Sequence, residues 1–170
     1  MSIDEKTFRE IYDLYFDGIR RFLSYYSANP ELIEDIIQDV FVKLWLERKT
    51  TDIKHIKTYL YTSARNKILN HLRDERNRLE LLRKWSENER ITRKEDKDET
   101  ESLFVQMLRS AIDNLPNKCK EIYLLSREER FTYQEIASSL LISVKTVEAQ
   151  MGIALKKIRC YLHDNKTNKQ

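Results

Sequence analysis

The stretch Ser143 to Arg159, S-V-K-T-V-E-A-Q-M-G-I-A-L-K-K-I-R, decides how the C-terminal part of this chain is read. Its apolar residues Val144, Val147, Met151, Leu155 and Ile158 recur every three or four positions, which predicts a helix with one buried stripe and an opposite face open to a ligand. Upstream, Thr132-Tyr-Gln-Glu135 is a capping box: a hydroxyl accepts from a free helix amide, and a glutamate three residues on answers it. Ile136, Ala137 and Leu140 give this shorter helix its core side. Leu141, Ile142 and Ser143 alone separate the two helices, and Ser143 is a suitable N-cap for the second. Two helices joined by a tight capped turn form the arrangement whose second helix enters the major groove of DNA, although any small helical domain can contain a hairpin of this kind.

The rest of the chain narrows the class. Its 170 residues hold only two Gly and two Pro, so an all-α protein is expected, with turns made by Asn, Asp and Ser. Cys119 and Cys160 are far apart in sequence, which argues against a metal site or disulfide and for two buried thiols in a reducing compartment. No run approaches the length of a membrane span, and the acidic N-terminus is unlike a signal peptide, so insertion into a membrane is not expected and a cytoplasmic location is. His55, His71 and His163 are scattered and no glycine-rich phosphate loop is present; the chain is not expected to be an enzyme or to need a cofactor.

Helices are expected over about 4–26, 30–48 and 53–82, with Asn29-Pro30 as an N-cap followed by proline at the first helical position. Residues 86–101 follow, with 11 of 16 charged and Ile91 the only aliphatic residue, too little apolar surface to offset ordering. The expected layout is therefore a helical domain over 1–84, a charged flexible linker over 85–102, a second helical domain over 103–163 ending in the helix-turn-helix, and a tail over 164–170. Charge alternates along it: net −4 over 1–53 (7 positive, 11 negative) and net +6 over 54–84 (9 positive, 3 negative). With 4 positive against 7 negative over 86–102 and 9 against 6 over 103–163, that alternation suits a chain touching nucleic acid in two places and something basic in another.

Two patterns in the first domain carry chemistry. Asp35, Gln38 and Asp39 fall at i, i+3 and i+4, one polar stripe on a helix whose apolar residues Val40, Phe41, Leu44 and Trp45 exceed a single buried face. Phe41 and Trp45 either close the domain's own core or anchor a partner. From Lys54 to Arg78 cations and rings interleave, including Lys54, Lys57, Tyr59, Tyr61, Arg65, Lys67 and Arg73, while Leu60, Ala64, Ile68 and Leu72 supply an inward face. Such a helix suits melted nucleic acid, where cations meet phosphate and rings stack on bases; a basic solvated face looks alike.

The segment E-D-I-I-Q-D-V-F-V-K-L-W from Glu34 to Trp45, with I-K-T-Y-L-Y-T-S-A-R-N-K-I-L-N-H-L-R from Ile56 to Arg73, resembles the second conserved region of bacterial sigma factors. L-P-N-K-C-K-E-I-Y-L-L-S-R from Leu115 to Arg127, with Thr132 to Arg159, resembles their fourth, and the short two-domain layout resembles the extracytoplasmic function (ECF) group of the sigma-70 family. The resemblance implies a dissociable subunit of core RNA polymerase that directs promoter-specific initiation. It gives Asp35, Gln38, Asp39, Phe41 and Trp45 the polymerase contact. It gives Lys54, Lys57, Tyr61, Arg65, Asn66, Asn70 and Arg73, with the loop from Thr50 to Ile56, the melted −10 element of promoter DNA. Lys145, Thr146, Glu148, Ala149 and Gln150 would lie nearest the bases of the −35 element, and Lys156, Lys157 and Arg159 nearer its phosphates. It further implies a linker threading the polymerase toward the RNA exit and an anti-sigma factor, often membrane-anchored, as inhibitor.

Several positions depart from the family pattern. Asn70 stands where an aspartate is common, Ile153 where a basic or polar residue is, and Glu129-Arg130 where Glu-Gly usually makes the turn, so that turn is expected to find a geometry other than positive φ. Gly152 lies inside the second helix at a cost of about 1 kcal/mol relative to alanine. The competing reading is a conventional helix-turn-helix regulator of duplex DNA with a sensing or dimerising N-terminal half.

Overall fold

The structure, a computed structural model, describes residues 3–50, 53–83 and 102–167. Its helices are α1 (Glu5–Ser24), α2 (Pro30–Leu46), α3 (Ile56–Arg83, entered by a 3₁₀ turn over Ile53–His55), α4 (Leu103–Asp113), α5 (Asn117–Arg127), α6 (Tyr133–Leu140) and α7 (Val144–Thr167). No strand occurs among the described residues. The chain forms two compact units, α1–α3 and α4–α7. The expected linker lies outside the described residues except for Ser102, as do Thr51 and Asp52 of the expected −10 loop.

In the first unit each helix begins where a side chain can take over orphan amides. Asp4 Oδ1 accepts from Thr7 N at 2.8 Å, and Asn29 Oδ1 accepts from Glu31 N and Leu32 N at 3.1 and 3.3 Å ahead of Pro30. The three helices pack mutually around Ile19, Phe22 and Leu23 of α1, Ile37, Val40 and Leu44 of α2, and Leu60, Ala64 and Ile68 of α3. Full burial of the Val, Leu, Ile and Phe side chains among these contributes about 1.5–3 kcal/mol each. Phe41 belongs to this core, whereas the apolar excess of α2 emerges at Val42 and Leu46, which are exposed. Beyond Leu72 every described residue of α3 is exposed, including Leu79, Leu81 and Leu82.

In the second unit α7 is the central member, packed by α4, α5 and α6. Its buried stripe is Val147, Met151, Ala154 and Ile158, a correction of the expected set by one place: Ala154 is buried while Val144 and Leu155 sit at the margins. The reason is width, since residues 100° apart at the edge of a helical stripe share their surface with solvent. Thr132 and Glu135 form both bonds of the capping box, and Ser143 Oγ accepts from Thr146 N at 3.1 Å. α7 continues to Thr167, past the expected end at 163, with Asn165 Nδ2 donating to Tyr161 O at 2.8 Å.

The Glu129-Arg130 turn differs from expectation, because Arg130 itself takes φ 53°. The bend swings Phe131 into the core, where Phe131 N donates to Leu125 O at 2.9 Å, and burial of the ring offsets the strained backbone. Leu141 adopts φ 54° at the end of α6, letting Ile142 N close on Ala137 O at 3.0 Å, the bond of a left-handed helix cap. Leu141 is 91% exposed, so no burial of its own side chain compensates.

Candidate functional site

Asp35, Gln38 and Asp39 are all exposed on α2, in the row their spacing predicts. Asp39 does not stand alone there: its Oδ2 accepts from Lys67 Nζ of α3 at 2.9 Å. Beside the row, α1 and α2 leave an open groove of about 600 Å³ lined by Phe8, Tyr12, Phe41, Val42 and Trp45, and Gln38 borders it. The rings meet at angles that suit their quadrupoles, Phe8 against Trp45 at 5.1 Å and Tyr12 against Phe41 at 4.8 Å. Phe41 is thus core residue and groove floor at once, and half-buried Trp45 forms a wall.

The end of α2 is held from several sides. The Arg48 guanidinium lies 4.2 Å from the centre of the Trp45 ring and donates to Trp45 O at 2.7 Å, while Arg48 O accepts from Ile3 N at 3.1 Å. Tyr59 Oη donates to Glu47 Oε2 at 2.9 Å, tying α3 back to the C-cap of α2 across the intervening loop. Burial, then the hydrogen bond and charge of Glu47, push the Tyr59 phenol up to about 12. Tyr59 is a structural contributor that spacing alone did not single out from its neighbours; its partner is twelve residues away in sequence.

The candidates on α3 do not all share one face. Asn66, Asn70 and Arg73 are exposed and recur at helical spacing, with Lys54 exposed at the helix entrance. Lys57 and Arg65 are half-buried. Tyr61 departs from the expectation of an exposed, base-stacking ring: it is 3% exposed, with its centroid 5.4 Å from that of Phe22. One residue along a helix from Leu60, it is swept into the core side of α3.

On α7, Lys145, Thr146, Glu148, Ala149, Lys156, Lys157 and Arg159 are exposed. The helical period places Lys145, Ala149 and Lys156 along the side opposite the buried stripe. Gln150 is turned the other way. It is half-buried on the flank facing α5, and its Oε1 accepts from the thiol of buried Cys119 at 2.8 Å. Thr146 keeps its hydroxyl in contact with Ser143 Oγ at 2.8 Å, so it serves the helix start as well as the surface. Cys160 is exposed, contrary to the expectation of two buried thiols. Among the described residues no helix is long and apolar enough to cross a membrane.

The chain matches Sigma-70 region 2 over residues 11–78 and Sigma-70, region 4 over residues 105–158. It is 27% identical over 153 residues to the ferric citrate uptake sigma factor FecI of Escherichia coli (strain K12), covering 88% of this chain and 87% of FecI. It is 25% identical over 171 residues to the ECF RNA polymerase sigma factor SigW of Bacillus subtilis (strain 168), covering 95% and 91%. In fold it is similar to the sigma factor RpoE of Bartonella quintana, solved with the anti-sigma factor NepR, with a TM-score of 0.72 at 21% identity over 93% of this chain and 98% of RpoE. Two region matches in the family's order, one in each compact unit, and whole-length relatives of the same kind lead to one conclusion: the chain belongs to the sigma-70 family, as an ECF-type sigma factor that directs transcription initiation.

Proposed function

We propose that this chain docks on core RNA polymerase through α2 and reads a promoter with both units. The unit of α1–α3 takes the melted −10 element, and that of α4–α7 takes the −35 element as duplex. The observation that carries the reading is the exposed acidic row Asp35, Gln38, Asp39 running by way of Gln38 into the aromatic groove, a surface that a regulator of duplex DNA alone does not need. Acidic groups meet basic ones on the polymerase, and Trp45 offers a half-buried aromatic anchor beside them.

For the −10 element, Asn66, Asn70 and Arg73 form the accessible row on α3, Lys54 sits at its entrance, and Lys57 and Arg65 stand at its margin. Tyr61 supports that row from within. For the −35 element, Lys145, Glu148 and Ala149 meet bases, Thr146 stands at the helix start, and Lys156, Lys157 and Arg159 meet phosphates. Gln150 acts from the flank, oriented by Cys119. We assign the chain no reaction of its own and a cytoplasmic place of work. RpoE was solved with an anti-sigma factor, and we propose that an inhibitor of that kind, soluble or membrane-anchored, covers the α2 surface here.

The test is titration of the purified chain against sigma-free core RNA polymerase by size-exclusion, with Asp39→Arg and Lys67→Gln beside it. Co-elution of the wild type, its loss in Asp39→Arg and its retention in Lys67→Gln are expected. Because both variants break the same ion pair, that pattern separates loss of the polymerase contact from loss of internal structure. A wild-type chain that does not bind core polymerase sinks the proposal and leaves the duplex-DNA regulator standing.

A further inference from the structure

Gly152 lies well inside α7, where glycine weakens a helix through the backbone freedom it must lose. None of the usual reasons internal to a fold accounts for it. No glycine has positive φ, the helix continues to Thr167, and a Cβ added at Gly152 meets nothing within 4 Å. The protein's own packing therefore leaves room for a side chain there. The helical period sets Gly152 on the outward side with Lys145 seven residues before it and Lys156 four after it. Both lysines are exposed, and neither is ion-paired among the described residues. An open backbone position between two available cations matches close approach of a polyanion.

We propose that Gly152 is a specificity-determining position at which the backbone of α7 comes against the base edges of the −35 duplex. A side chain there would lift the helix from the floor of the major groove. This rests on α7 being the reader of that element. Lys156 holds a phosphate on one side of the contact while Lys145 reaches a base on the other, and exposed Ile153 beside it offers an apolar surface of the kind that meets a thymine methyl.

The experiment uses holoenzyme assembled from core polymerase and the full chain. A random duplex library is selected with the wild type, and the affinity of the selected duplex is measured for Gly152→Ala and Gly152→Leu; the free chains are also melted. Gly152→Ala is expected to raise the melting temperature yet bind the selected duplex about tenfold more weakly, with Gly152→Leu weaker still. Opposite signs for stability and binding are what a merely structural glycine would not produce. Unchanged affinity in Gly152→Ala, or a lowered melting temperature, overturns the proposal while leaving the reader role of α7 intact. Holoenzyme that selects no duplex overturns both.

Discussion

On α2 and α3 of the first unit, some candidate groups are tied into the unit's own structure beside others that are exposed, whereas on the outer side of α7 they stand open. Lys67 holds Asp39, Tyr59 holds Glu47, and Tyr61 is part of the core. Lys145, Ala149 and Lys156 instead project from a helix whose opposite side carries the packing. The difference follows from architecture. In a three-helix unit α3 must supply core and surface from adjacent turns, so substitutions there act on fold and binding together. A helix-turn-helix leaves half of its second helix unoccupied, so truncating a side chain on that half acts mainly on binding, and stability changes there only through helix propensity, as at Gly152.

The largest expected effect tests this contrast directly. Tyr61→Ala removes a buried ring and should destabilise the first unit by about 3–5 kcal/mol, while Lys145→Ala should leave thermal stability within about 0.5 kcal/mol of wild type. Lys145→Ala should still weaken duplex binding by holoenzyme and relax its selectivity at the base pair that Lys145 reads, a loss of about 1–3 kcal/mol in discrimination. Equal melting temperatures for the two variants would erase the distinction between the units.

A smaller effect is expected where strain is stored. Leu141→Gly relieves a left-handed backbone without removing buried surface and should stabilise the second unit by about 1 kcal/mol, a rise of several degrees in its melting temperature. Arg130→Gly should act in the same direction, because Phe131, rather than Arg130, supplies the buried ring at that turn. A fall in melting temperature for Leu141→Gly would show that its exposed side chain is held by contacts that matter in the free protein.

The smallest concerns pH and the first unit. With the folded phenol of Tyr59 raised from 10.0 to about 12, the folded state keeps a proton that the unfolded chain releases in that window. The associated stability is therefore intact below pH 10 and lost as pH rises toward 12. Thermal melts should decline more steeply over that range for the wild type than for Tyr59→Phe. Parallel declines would mean that neither the burial of the Tyr59 phenol nor its Glu47 contact persists in solution.

Helix positions, their caps and the helix-turn-helix were legible from the residues alone, because a 3.6-residue period and a capping side chain act within one or two turns. Asn29 before Pro30 and Thr132 with Glu135 perform the roles their spacing indicates. The acidic row of α2 was legible for the same reason, as was the division into two units about a charged stretch. Which candidates remain available to a ligand was decided by tertiary structure. Lys67 finds Asp39 from 28 residues away and Cys119 finds Gln150 from 31, so neither pairing leaves a local signature. Tyr61 and Ala154 were placed inside, and Leu155 at the margin, by the neighbouring helices that each face meets. Arg130 and Leu141 accept left-handed backbone against their own preference because the elements they join must pack. Local sequence set what each helix is; long-range packing set which of its side chains are left to act.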